Sequence, residues 1–139
     1  VSNVLVPPDG TQVTGFKEIR HDAHFASDED FAGYVDFLLT SFPGARIVFN
    51  TRDASAVRKS AWLKDRPSAS VNKMVATCDR RFAIAMQAHG DRCFLVKYET
   101  FVADPSNYEA LFDFLSLPYD PDRVSKVLDK PLLHAKKRE

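Results

Sequence analysis

The chain has 139 residues, of which 45% are hydrophobic and 27% charged, a composition that suits one folded domain and excludes a disordered segment. Nineteen Lys and Arg balance nineteen Asp and Glu, so the broad basic footprint of a nucleic-acid or membrane-surface binder is missing and any anion site must be local. No apolar run approaches the ~18 residues of a membrane span, and residues 1–30 show no charged start followed by an apolar block, so a cytoplasmic location is expected.

Residues 1–12 carry Val4-Leu5-Val6 and then Pro7-Pro8-Asp9-Gly10, a turn signal, and read as an extension or an edge strand. Val13 to Arg20 predicts a short strand ending in charge. Ser27 is a helix N-cap, and Asp28, Glu29 and Asp30 suit the positive start of that helix. Phe31, Tyr34, Val35, Leu38 and Phe42 keep helical spacing until Pro43-Gly44 stops it. Ala45 to Thr51 contains the consecutive Ile47, Val48 and Phe49, a run that predicts a strand buried on both faces of a parallel sheet. Asp53 caps a helix from about Ala54 to Lys64, which Arg66-Pro67 breaks. A long helix follows, because Val71, Met74, Val75, Cys78, Phe82, Ala85, Met86 and His89 hold one face, and Gly90 ends it. Cys93 to Tyr98 is another buried strand. Asp104-Pro105 and Asp120-Pro121 each pair a cap with Pro at the first helical position. Tyr108, Leu111, Phe112 and Leu115 form one stripe; Val124, Val127 and Leu128 form the last. Residues 131–139 are a basic tail.

Alternating strands and helices predict an α/β fold with a mostly parallel sheet flanked by helices. Three strands make a thin sheet, so residues 1–139 are expected to be part of a larger domain. Cys78 and Cys93 read as two buried free thiols. The four His form no HExxH pattern and no zinc spacing is present, so no metal is expected.

The chemically informative stretch is Phe49 to Trp62. Arg52 stands at the carboxyl end of a buried strand, where open parallel sheets bind ligands. Ser60 follows eight residues later on the predicted helix, which advances ~1.5 Å per residue, so a guanidinium fork and a hydroxyl can converge on one phosphate. Read by physics alone, this is a possible anion site beside the plainer reading of a surface Arg and a solvated Ser.

The Arg-to-Ser spacing, after an apolar strand and before an aromatic-containing helix, resembles the 3′-phosphate-binding motif of sulfotransferases. Gly15-Phe16-Lys17-Glu18-Ile19-Arg20 resembles the family's strand that ends beside the acceptor. Leu95 to Pro105 resembles its later strand, which runs into a Tyr-Glu-x-Leu turn; Phe101 replaces the usual Leu. Phe42-Pro43-Gly44-Ala45-Arg46 also fits, and the resemblance covers roughly residues 13 to 129. It implies a P-loop kinase-like fold, the co-substrate 3′-phosphoadenosine 5′-phosphosulfate gripped by Arg52 and Ser60, and transfer of a sulfuryl group to a hydroxyl acceptor. The family's amino-terminal phosphosulfate loop has no clear copy: Pro8 stands where a cation belongs, and Asp9 would repel the ligand. The chain is therefore expected to need an upstream segment for activity and to associate with the rest of a larger chain.

Glu18 is the leading candidate for general base, His21 the second and His24 a weaker third; the plain alternative for Glu18 is pairing with Lys17 or Arg20. Lys17 is a candidate contact to sulfate or acceptor. Tyr98 and Glu99 read as turn-formers, and Trp62 as a core, interface or adenine-side ring. Arg58, Lys59, Lys64 and Arg66 give residues 52–66 a local positive bias that suits a nucleotide or an anionic glycan. The Lys-Glu-x-Arg segment looks closer to the carbohydrate-directed branch, so the acceptor is read as a carbohydrate or another small hydroxylated compound. Two other readings stand beside this one. A non-catalytic module could retain the fold and a nucleotide site. A small kinase fragment is a third, and no GxxxxGK[ST] loop supports it.

Overall fold

The computed structural model describes residues 9–11, 13–60 and 63–130. The sequence signals at 1–8, Trp62 and the basic tail therefore lie outside the described residues. Asp9 and Gly10 form the expected turn, with Gly10 at a φ of 81° that favours a residue without a side chain.

Helix α1 spans Asp28–Ser41 and begins in a full capping box. The Ser27 hydroxyl accepts the Asp30 N–H at 3.1 Å, and the Asp30 carboxylate accepts the Ser27 N–H at the same distance. Strand β1 covers Ile47–Thr51, the short helix α2 Ala54–Arg58, and the long helix α3 Ser68–Ala88. Strand β2 covers Cys93–Lys97 and pairs with β1 in parallel, Ile47 opposite Cys93 and Thr51 opposite Lys97. Helix α4 spans Tyr98–Ala103, a 3-10 turn Pro105–Asn107, α5 Tyr108–Phe114 and α6 Pro121–Leu128. Asp104 and Asp120 each cap the following turn through their side chains, as the Asp-Pro pairs predict.

One face of the sheet carries the main core. Phe31, Val35 and Leu39 of α1, Phe49 of β1, Phe82 and Ala85 of α3 and Cys93 of β2 pack into one cluster. The rings of Phe49 and Phe82 stack with centroids 4.6 Å apart, and Phe31 leans on both. Among the described residues the opposite face is covered mainly over β2, where Phe94 packs on Phe101 of α4 and Phe114 of α5. The α5 helix ends with Ser116 in the left-handed region, and Arg46 donates to the Ser116 hydroxyl at 2.8 Å and to the Phe114 carbonyl.

Four expectations need correction. Val13–Arg20 is not a strand. A strand exists only against a partner edge, and here the Glu18 carboxylate accepts the N–H groups of Ile19 and Arg20 at 2.6 and 2.7 Å, a local arrangement that competes with a ladder. Val13, Phe16 and Ile19 all stay more than half exposed. Second, β1 is not buried on both faces: Phe49 is buried, but Val48, beside Phe94 on the sparsely covered face, is 39% exposed. β2 does bury residues of both faces, Cys93 and Val96. Third, α2 stops at Arg58 instead of Lys64, and Asp53 makes no side-chain cap bond to it. Fourth, Tyr98 and Glu99 open a helix where a turn was expected. The sheet among the described residues is thus a two-stranded parallel pair within a mixed α/β arrangement.

Arg81 is the most unusual core residue. It lies on the apolar stripe of α3 and is only 3% exposed. Its guanidinium donates to the backbone carbonyls of His21, Asp22, Phe25 and Ser27 and, from Nε at 3.0 Å, to the Asp28 carboxylate. The loop leading into α1 is wrapped around this one cation.

Candidate functional site

Two concave regions carry the residues that the sequence singles out. The first lies at the carboxyl ends of β1 and β2, the end of a parallel sheet where ligands bind because both chains turn outward there. It is a cavity of about 400 Å³ lined by Thr51, Arg52, Asp53, Asn72, Asp79, Lys97, Glu99 and Thr100, among others. Arg52 is the first residue past β1. Its guanidinium sits over the Tyr98 ring, 4.3 Å from the centroid, and its Nε lies 3.8 Å from Glu99 Oε1. The same carboxylate oxygen accepts the Asp53 N–H at 3.0 Å. Thr51 donates its hydroxyl to Asp79, which anchors the strand end to α3. Arg58 donates to Asn72 at 3.3 Å, joining α2 to α3 at the side of this cavity.

Ser60 is not on a helix. It lies in the turn after α2, half-buried, its N–H on the Val57 carbonyl and its own carbonyl accepting from Leu63 and Lys64. It lines neither cavity described here, and no hydrogen bond joins it to Arg52 among the described residues. Because α2 is so short, the dipole expected to assist the phosphate is that of barely one turn.

The second region is a groove of about 890 Å³ along β1, and it gathers Lys17, Glu18 and His21. Its walls are mainly apolar: Phe16, Tyr34, Leu38, Phe42 and Val48 are among them. The two cavities share no lining residue, so the structure brings the three acceptor-side candidates together and leaves Arg52 in the other depression.

Glu18 and His21 differ in their chemistry. The two backbone N–H bonds from Arg20 and Ile19 hold the Glu18 carboxyl below its usual range, with His24 Nδ1 3.6 Å away adding to the effect. Burial pushes the His21 imidazole below its usual value of 6.5, against the opposing pull of Glu18. His21 stands edge-on to Phe31 and Phe82, and its buried Nδ1 has no hydrogen-bond partner among the described residues. A neutral ring is the form a base requires, but this unpartnered nitrogen is itself buried, so only the other ring nitrogen could meet a bound acceptor.

Sequence reasoning missed Asn72, Asp79, Lys97 and the role of Glu99 at the strand ends. Lys97 lies near the end of the predicted strand Cys93 to Tyr98 and Glu99 directly follows it, so their place at its carboxyl end was legible; Asn72 and Asp79 reach the cavity only through the docking of α3. No cluster of His, Cys, Asp or Glu able to hold a metal occurs among the described residues, and no described helix is long and apolar enough to cross a membrane.

In comparison with known proteins, the model of the sulfotransferase family fits residues 16–121, about three quarters of the chain. No curated protein and no solved structure matches.

Proposed function

The chain belongs to the sulfotransferase family, and from that premise we propose that it grips the 3′-phosphate of the donor 3′-phosphoadenosine 5′-phosphosulfate at the carboxyl end of β1. Arg52 is the principal cation; Ser60 is the second ligand only by its resemblance to the family motif, since in this structure it sits in the turn after α2 and does not line the cavity. The position of Arg52 carries this reading: it leaves a parallel strand at the ligand-binding end of the sheet and lines the cavity there. The two strands are read as part of a P-loop kinase-like sheet.

The reaction is transfer of a sulfuryl group to a hydroxyl, on a carbohydrate or another small hydroxylated acceptor. The acceptor oxygen bonds to sulfur as the bond from sulfur to the bridging phosphate oxygen breaks. Adenosine 3′,5′-bisphosphate leaves with that electron pair, and the acceptor's proton passes to a base. His21 is favoured over Glu18 as that base, because burial lowers its tendency to hold a proton, whereas Glu18 Oε1 already accepts two backbone N–H groups that make the carboxylate a weaker base. Lys17, at the same groove, would face the transferred group or the acceptor. With no covalent intermediate required, the protein's contribution is positioning and charge stabilisation.

Isothermal titration of this chain with adenosine 3′,5′-bisphosphate tests the reading. Losing a charge-assisted phosphate contact costs about 1.5–3 kcal/mol, so Arg52→Ala is expected to weaken binding roughly tenfold or more. Lys64→Ala, on the exposed turn beyond Ser60, should leave it nearly unchanged. Equal affinities for the two variants would refute the site.

A further inference from the structure

We propose that Tyr98 and Glu99 are positioning residues that hold the Arg52 guanidinium open toward the donor's 3′-phosphate; the proposal rests on the reading of Arg52 given above. A long, half-exposed Arg samples many rotamers, and each one that points away from the ligand lowers its effective affinity. Here two neighbouring residues remove that freedom from two directions. The Tyr98 ring lies under the guanidinium plane at 4.3 Å. The Glu99 carboxylate approaches its Nε side at 3.8 Å. The terminal nitrogens, the prongs that can bind phosphate in a bidentate way, have no hydrogen-bond partner among the described residues.

Glu99 can steer Arg52 only if it is itself held. Its Oε1 accepts the Asp53 N–H at 3.0 Å, so one carboxylate ties the exit of β1 to the start of α4. That bond fixes the backbone on which Arg52 stands, since Asp53 is the next residue. Tyr98 and Glu99 directly follow β2, whose last residue Lys97 pairs with Thr51. The parallel register therefore sets both positioning groups beside Arg52, one and two residues beyond the paired end at Lys97. The other charged groups lining this cavity are Asp53, Asp79 and Lys97; Asp79 is engaged by the Thr51 hydroxyl.

A carboxylate beside a phosphate-binding Arg has two possible effects of opposite sign. As a positioning group it raises phosphate affinity; as a resident anion it competes and lowers it. The 3.8 Å approach at Nε and the anchoring bond to Asp53 favour the first.

The test uses two probes, adenosine 3′,5′-bisphosphate and adenosine 5′-monophosphate, titrated into this chain and its variants. Glu99→Ala is expected to weaken bisphosphate binding about three- to tenfold, with the monophosphate changed by less than about twofold. Glu99→Gln keeps an acceptor for the Asp53 N–H and is isosteric, so it should lose less than Glu99→Ala. Tyr98→Leu, which removes the π face, should also lose affinity for the bisphosphate alone. Tighter bisphosphate binding by either Glu99 variant would show that the carboxylate competes, and would overturn the proposal. Equal losses for the two nucleotides, or no loss for either, would overturn it as well. If Arg52→Ala leaves bisphosphate binding intact, the site itself is wrong; intact sensitivity to Arg52 with no 3′-phosphate-specific effect at Glu99 refutes only the positioning role.

Discussion

Replacing Arg81 with Met should cost far more stability than the same change at its neighbour Arg80, although both cations bind the Asp28 carboxylate. Arg80 makes the shorter contacts, 2.6 and 3.0 Å, but its side chain is largely in water. Arg81 contacts Asp28 at 3.0 Å from a buried position and also takes four backbone carbonyls of the 21–27 loop. Arg81→Met keeps the stem's length and apolar packing while removing every donor. The orphaned carbonyls near the surface can recover water and those beneath it cannot, so the loss falls at the lower end of the ~3–5 kcal/mol typical for breaking a buried ionic network, about 3 kcal/mol. Unfolding entropy of ~2.1 cal/mol/K per residue over 139 residues converts this to a fall in Tm of about 10 °C. Arg80→Met should move the midpoint by a small fraction of that. Thermal unfolding followed by far-ultraviolet circular dichroism gives both numbers, with urea titration as a check on two-state behaviour. Equal shifts for the two variants would refute the claim that the loop is organised by Arg81.

Three further outcomes follow from particular contacts. The hydrogen bonds from Arg80 and Arg81 depress the Asp28 pKa from 3.8 to about 2. Its contribution is therefore fully present above about pH 4 and is lost as pH falls toward 2, because the unfolded chain takes up the proton first; urea midpoints between pH 5 and 2 should show this slope, and Asp28→Asn should flatten it. Phe49→Ala removes the ring stacked on Phe82 at 4.6 Å and should cost about 3–5 kcal/mol by chemical denaturation, whereas a cost below about 1 kcal/mol would mean that the cluster is not the core. Burial pushes the Cys93 thiol up to about 11, so alkylation at pH 8 should track unfolding, and fast modification of the native chain at that residue would contradict its buried position.

What could be read from the sequence was local. The Ser27 cap, the Asp-Pro starts of the last helical turns and the stripe of α3 depend on neighbours within one or two turns, and each stands where its pattern places it. What failed was relational. Val13–Arg20 has strand composition, but composition supplies no partner edge, and Glu18 satisfies the adjacent amides instead. Val48 belongs to an apolar run, but burial on both faces depends on how far α4 and α5 extend across the sheet. Arg81 was visible as a charge on the stripe, three residues past Cys78 and four before Ala85, and that break in pattern was the available signal. Arg52 was legible as a residue at a strand end. Its seat between Tyr98 and Glu99 was not, because it depends on the register between strands far apart in the chain.

That separation bears on how the molecule assembles. The two strands meet across the whole span from Ile47 to Cys93, 46 positions, and closing a chain of that length costs about 3–4 kcal/mol of entropy before the ladder returns anything. Five residues on each side offset little of that alone, so packing of Phe82 on α3 against Phe49 is expected to precede strand pairing and to carry the second strand into reach. Refolding rates should accordingly fall more for truncation at Phe82 than at Val96. The cavity framed by residues just past both strands is then expected to be among the last features to take shape.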